Sequence, residues 1–342
     1  AGSFRSIDFA LSSMSNSHIQ TVAVLTQYNA RSLNEHLSSS KWWNFGRKQG
    51  GLFLFTPTVT ADNSDWYRGT ADAMYQNIDF LKRRHEPYVI ISSGDCVYKL
   101  DFNRVLDFHI EKKSDITVVC KDMMYNDDVS RFGVVRMDDE SRITEFDEKP
   151  IEALSNTIST GIYVIRRRQL IELLEAAAEE NRFDFVNDIL VRYKNVKKIY
   201  GYKINSYWNN IADIDAYFKT NMDFLRPDIR SYFFREEPTI CSKVDDLPPA
   251  KFNPGSDISN SLVSSGCIIN GRVEDSVLFK QVFVGKNTTV KNCVILNDVY
   301  IGDNVHLENC IVESRGTINP NTCYCGEDGV MIVKEKNVRY VI

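Results

Sequence analysis

Nothing in the 342 residues approaches the apolar run needed to span a bilayer. Basic charge is also in short supply. Forty-one Lys and Arg against 46 Asp and Glu leave a net charge of −5, which gives no electrostatic footprint for nucleic acid or an anionic membrane surface. The eight cysteines are scattered, and only Cys323-Tyr324-Cys325 lie close together. That pattern matches neither a common zinc spacing nor a disulfide framework, so a reducing cytoplasm is the expected compartment. No secretory signal precedes Ala1, and the chain opens abruptly within what reads as a working segment. What remains is ordinary globular composition, 43% hydrophobic and 25% charged, at a length that allows two domains with a core each.

One stretch organises the reading. Tyr88-Val89-Ile90-Ile91 runs without a polar break and stops at Ser92-Ser93-Gly94-Asp95. A short apolar run after a helical pattern predicts a strand buried on both faces of a parallel sheet. Ligands of open α/β sheets collect beyond the carboxyl ends of strands, where Asp95 would stand. A carboxylate there suits Mg²⁺ carrying phosphates; the segment alone serves equally an Asp that caps a helix or braces a loop.

From Ile7 to about Phe224, helical patterns alternate with aliphatic runs, predicting a layered α/β domain. Ala71, Met74, Tyr75, Ile78 and Leu81 form a stripe at helical spacing, with Thr70 placed as its cap. Strands are expected at Val22–Leu25, Ile116–Cys120 and Ser159–Ile165, helices at Phe102–Lys112 and Gln169–Glu179, and a meander across Phe132–Phe146. Between Arg226 and Gly255 five prolines interrupt regular structure and mark a linker. Beyond it, Leu278, Val284, Val290 and Leu296 recur every six residues, as do Ile295, Ile301 and Leu307 after a one-residue slip. A period of six predicts a parallel β-helix, whereas an antiparallel sheet would show period two. The expected division is a Rossmann-like α/β domain over 1–225, a linker over 226–257 and a left-handed parallel β-helix of hexapeptide repeats over 258–342.

Several strings then carry a family resemblance: Phe4-Arg5-Ser6-Ile7-Asp8-Phe9-Ala10-Leu11-Ser12, Leu25-Thr26-Gln27-Tyr28, Asp65-Trp66-Tyr67-Arg68-Gly69-Thr70-Ala71-Asp72-Ala73, Gly94-Asp95 with Tyr98-Lys99, Glu148-Lys149-Pro150, Ser159 to Tyr163, and Leu247-Pro248-Pro249-Ala250-Lys251. With them the chain resembles the bacterial glucose-1-phosphate adenylyltransferase (ADP-glucose pyrophosphorylase) family over nearly its whole length. That family joins glucose 1-phosphate to the adenylyl group of ATP with Mg²⁺, releasing pyrophosphate. The resemblance implies that Asp95 is the catalytic metal-binding Asp and that Lys149 holds the sugar phosphate. It places Glu148, Ser159, Tyr163, Asp184, Phe185 and Trp208 around the glucose, and Tyr67, Gly69, Thr70 and Gly94 by the nucleotide. A Lys is a suitable point charge for a phosphate, and carboxylates accept sugar hydroxyl hydrogens.

Three departures from the family pattern matter. In Tyr207-Trp208-Asn209-Asn210, Asn210 stands where the second metal-binding Asp is expected and Asn209 replaces an Arg. Cys96 follows Asp95 where the family has His. The family's opening strand and Gly-rich phosphate loop would precede Ala1-Gly2-Ser3-Phe4-Arg5. A neutral amide cannot offset a divalent charge as a carboxylate does. With Arg182–Asp188, Ser206–Ala212 and Tyr232–Glu236, this resembles the D-type glycogen biosynthesis paralogue, implying a subunit that assembles with a catalytic paralogue in a tetramer. A competent adenylyltransferase using Mg²⁺, and a subunit that senses glucose 1-phosphate, ATP or ADP-glucose without chemistry, are the other readings.

Overall fold

The computed structural model describes residues 2–46, 50–58, 66–124 and 128–335; Asp65 of the Trp66 string and residues 336–342 of the expected β-helix lie outside them. Packing divides the chain into two compact units. One comprises 13–94 and 100–207, the other 1–12, 95–99 and 208–342.

The first unit is α/β with a mixed sheet. Its central strand is Thr157–Arg166, which is buried along nearly its whole length and pairs antiparallel with Tyr88–Ser92, Ile116–Asp122 and Gly133–Met137. Gly133–Met137 continues into Ile143–Glu148, and Ile116–Asp122 pairs in parallel with Ile199–Lys203. A separate parallel pair joins Thr21–Leu25 to Gly51–Phe55. The expectation for Tyr88–Ser92 is therefore corrected: this strand runs antiparallel to its partner, and all five residues are only half-buried. A continuous apolar run fixes neither the depth of burial nor the direction of the neighbouring strand. Ile116, Val118, Phe146, Ile165, Leu170 and Ile189 fill the core beneath helix Arg167–Glu179.

The central strand breaks its register at Gly161, where φ is +75° and a bulge opens opposite Val118 and Cys120. Only glycine adopts that backbone without strain. The bulge carbonyl accepts the Ser93 N–H at 3.0 Å and so straps down the loop that follows Tyr88–Ser92.

In the second unit, three five-stranded parallel sheets form a β-helix of five coils, beginning at Lys251–Phe252 and ending at Met331–Val333. Every pairing is parallel, as the period of six requires. Ile269, Val273, Leu278, Val284, Val290, Ile295, Ile301 and Leu307 are fully buried inside. Asn287, Asn292, Asn304, Asn309 and Asn321 take left-handed corners, and Asn287, Asn304 and Asn321 hydrogen-bond in a ladder through partners 17 residues apart. Seventeen is one short of three hexads, which is the physical origin of the slip. It also corrects one expectation: Ile295 occupies the interior, while half-buried Leu296 packs outside beside Tyr217, Phe218 and Met222 of helix Ile214–Asp223. The proline-rich stretch is not wholly irregular, because Pro227 starts helix Pro227–Phe234, where its missing N–H has no helical partner to lose. Among the described residues no helix is long and apolar enough to cross a membrane.

Candidate active site

The residues singled out by sequence fall into two clusters, one in each unit. In the α/β unit, the turn before helix Thr70–Gln76 is bonded to the loop at Phe183. The Phe183 carbonyl accepts the Ala71 N–H at 2.8 Å and the Asp72 N–H at 3.2 Å. A Cβ at Gly69 would come within 2.3 Å of that same carbonyl oxygen, so the approach needs glycine. Arg68 lays its guanidinium 3.8 Å over the Phe183 ring. Buried Asp72 secures the turn, accepting the Arg68 N–H at 2.8 Å and the Gln76 amide at 3.0 Å.

Thr70 does not cap its helix. The cap position is Gly69, and the Thr70 hydroxyl instead accepts the Phe185 N–H at 3.0 Å. The expected cap is thus corrected; a tertiary donor has claimed the oxygen. Tyr67 is fixed through Gln27, whose Oε1 accepts its N–H at 2.7 Å, and through Asn77, which donates to its hydroxyl at 3.0 Å. Gly94 is exposed.

The same loop presents Asp184 and Phe185. Asp188 accepts the N–H groups of Phe183 and Asp184, and Asp184 accepts the Asn187 N–H at 2.7 Å. Phe185 is buried, with its ring 5.2 Å from that of Tyr163. The Tyr163 hydroxyl lies 3.3 Å from Ser159 Oγ, both side chains buried, across the bulge that shortens the strand between them. Burial, with a smaller contribution from Glu148, pushes the Tyr163 hydroxyl far above its usual range, so it remains a neutral donor. Glu148 is half-buried; desolvation raises its carboxyl, Lys149 opposes the shift and Asp184 adds to it. Lys149 is exposed, in a left-handed conformation, its N–H held by the Phe132 carbonyl at 3.1 Å. Two carboxylates beside one ammonium can accept hydroxyl hydrogens and attract an anion. Gly133, which no local motif singles out, makes room here: a Cβ on it would come within 2.9 Å of a Glu148 oxygen.

The second cluster lies on a short antiparallel pair, Cys96–Tyr98 with Trp208–Asn210, in which Asn210 faces Cys96 and Trp208 faces Tyr98. The Asp95 carbonyl accepts the Ile211 N–H at 2.9 Å, bringing the two expected metal positions to one corner. Asn210 commits its Oδ1 to the Ala212 N–H at 2.9 Å and turns Nδ2 toward Cys96 Sγ at 3.5 Å. That sulfur is also 3.3 Å from Asp95 Oδ1. Burial first, and the Asp95 carboxylate second, push the Cys96 thiol well up, so it stays protonated. Asn209 donates to Thr220 Oγ1 at 2.9 Å, and Trp208 is buried. Lys99 is a clasp within this unit, donating to the carbonyls of Tyr232 and Glu236.

Mg²⁺ asks for hard, anionic oxygens. The corner supplies one carboxylate, an amide oxygen already bonded to a backbone N–H, and a protonated thiol. This donor set does not fit a resident two-carboxylate Mg²⁺ site.

Comparison with known proteins finds a family for the α/β part of the chain and another for its β-helix. The nucleotidyl transferase family matches residues 1–226, and the GlmU-like C-terminal hexapeptide family matches residues 248–333. The glucose-1-phosphate adenylyltransferase of Clostridium novyi (strain NT) is 37% identical over 292 residues, covering 84% of this chain and 76% of the relative. That of Bacillus subtilis (strain 168) is also 37% identical over 292 residues, covering 84% and 77%. That of Thermosipho africanus (strain TCF52B) is 38% identical, covering 85% and 71%. With an α/β unit, a hexapeptide β-helix and relatives matched at this level, the chain belongs to the glucose-1-phosphate adenylyltransferase family of nucleotidyltransferases.

Proposed function

We propose that this chain is a catalytically impaired, regulatory subunit of a glucose-1-phosphate adenylyltransferase, assembled with a catalytic paralogue in glycogen biosynthesis. The observation that carries the reading is Asn210, whose oxygen serves a backbone N–H and whose nitrogen faces a protonated thiol beside Asp95. Transfer of an adenylyl group from ATP to glucose 1-phosphate builds negative charge at the reacting phosphorus and on the departing pyrophosphate. A second carboxylate steadies the cation that offsets this charge; an amide does not. Its loss costs on the order of 10³-fold in rate.

The remaining groups suit recognition. Lys149 offers the point charge for a sugar phosphate, Glu148 and Asp184 offer acceptors for hydroxyls, and the Gly69–Thr70 turn offers backbone to a nucleotide. A subunit that binds the reactants and turns over slowly can report their levels to an active partner. Assembly is supported by an outward ladder on the β-helix, where Ile268, Phe283 and Tyr300 stack on successive coils with the last two rings 4.8 Å apart.

The test is pyrophosphate release by the purified chain, alone and mixed with a catalytic paralogue. The expected result is little turnover alone, a gain in the partner's rate on mixing, and an Asn210→Asp variant that gains markedly on its own. Full turnover by the unaltered chain overturns the reading, as does a light-scattering profile that stays monomeric with partner present.

A further inference from the structure

Cys323-Tyr324-Cys325 has no metal-binding spacing within itself, and the structure supplies the missing half. His306–Glu308 and Cys323–Cys325 are adjacent parallel strands on successive coils, with His306 opposite Cys323 and Glu308 opposite Cys325. Between them Leu307 is fully buried and Tyr324 packs against the same core. Alternation along a strand therefore sends His306, Glu308, Cys323 and Cys325 to one outer face.

Three of the four donor atoms are already close, and the fourth, on Cys323, lies beside the Cys325 sulfur. Those of His306, Glu308 and Cys325 all lie within 4.8 Å of one another. His306 Nε2 is 3.4 Å from Glu308 Oε2, and the sulfurs of Cys323 and Cys325 are 3.6 Å apart. A tetrahedral ion bound at about 2.0–2.3 Å holds its donors roughly 3.3–3.8 Å apart. The other Glu308 oxygen pairs with Lys291 at 2.9 Å, which anchors the carboxylate and leaves the edge toward His306 for a cation.

We propose that these four side chains form a surface site for a borderline-soft divalent cation of the zinc class, clamping the fourth and fifth coils of the β-helix together. One imidazole, one carboxylate and two thiolates form a set that favours Zn²⁺ over Mg²⁺ or Ca²⁺, which prefer all-oxygen shells. Closure of a Cys323–Cys325 disulfide competes poorly. Residues two apart on a strand are about 6.6 Å apart with parallel Cβ vectors, whereas a disulfide needs Cβ atoms about 3.5–4.5 Å apart.

The experiment uses the full chain, stripped of metal and kept reduced, titrated with Co²⁺ alone. One equivalent should produce the intense visible bands of tetrahedral cobalt and a near-ultraviolet sulfur-to-metal charge-transfer band, both displaced by Zn²⁺. His306→Gln and Cys325→Ser should each weaken binding on the order of 100-fold, while Cys241→Ser, at an exposed cysteine elsewhere, should leave it unchanged. Zn²⁺ should also raise the thermal midpoint of the unaltered chain and leave that of Cys325→Ser unmoved. Absence of the charge-transfer band, or binding insensitive to both His306→Gln and Cys325→Ser, overturns the proposal.

Discussion

The two clusters of candidate residues, one in each unit, differ in the charge they keep. Around Tyr163 the chain half-buries the Glu148 carboxylate, and desolvation first, with Asp184 adding to it, raises that carboxyl. Around Asp95 it has let charge go: an amide and a protonated thiol fill the remaining positions. Charges that cost stability persist in folded proteins where something recognises them. On the function proposed above, the first cluster serves recognition of a sugar phosphate and the second can no longer steady a metal.

The largest effect that can sharpen this contrast comes from the turn bonded to the Asp184–Phe185 loop. Asp72 is buried and accepts three donors, one of them the guanidinium of Arg68. Asp72→Ala should cost about 3 kcal/mol by leaving those donors unmet; a denaturation midpoint checks it. Gly69→Ala should follow at about 1–3 kcal/mol, because its methyl meets backbone that cannot move without dragging Asp184 and Phe185. If Gly69→Ala leaves both stability and sugar-phosphate affinity intact, the turn and the loop are not the single scaffold described above.

The cluster around Asp95 should respond in the opposite way. Asn210→Asp sets two carboxylates against one buried thiol, and without divalent ions this should lower stability by about 1 kcal/mol. Millimolar Mg²⁺ should restore the loss in the variant and do nothing for the unaltered chain. An unaltered chain that gains as much from Mg²⁺ as Asn210→Asp does would break the comparison.

How much of this was legible depended on whether the signal was local. Strands Ile116–Asp122 and Thr157–Arg166 and the coils around Val284 and Ile301 follow from burial and period, which a linear reading detects. The partner direction of Tyr88–Ser92 does not, since pairing is decided across about 70 residues by the bulged strand it meets. Thr70 reads locally as a cap, because the distant Phe185 N–H that takes its oxygen is invisible in the local string. His306 and Cys325 meet only because a coil is 17 residues long, a spacing that no short motif records. Asn210 was readable by comparison with the family pattern, but the direction its amide faces was not.

The smallest expected effect is also the one that separates stability from recognition. Desolvation raises the Glu148 carboxyl above its ordinary value of 4.5, so the folded state favours the protonated form more than the unfolded state does. Below that ordinary value both states carry the proton and Glu148 costs nothing; as pH rises through the raised value, the ionised form costs stability. Glu148→Gln should therefore be slightly more stable than the unaltered chain at neutral pH, by less than about 1 kcal/mol given the group's exposure. The advantage should vanish on acidification past the ordinary carboxylate range. The same variant should bind glucose 1-phosphate more weakly, because an amide replaces one carboxylate acceptor with a donor. Calorimetry finding unchanged affinity alongside the gain in stability would mean that Glu148 is not held there for the sugar, and the cluster around Tyr163 would lose its claim to be a binding site.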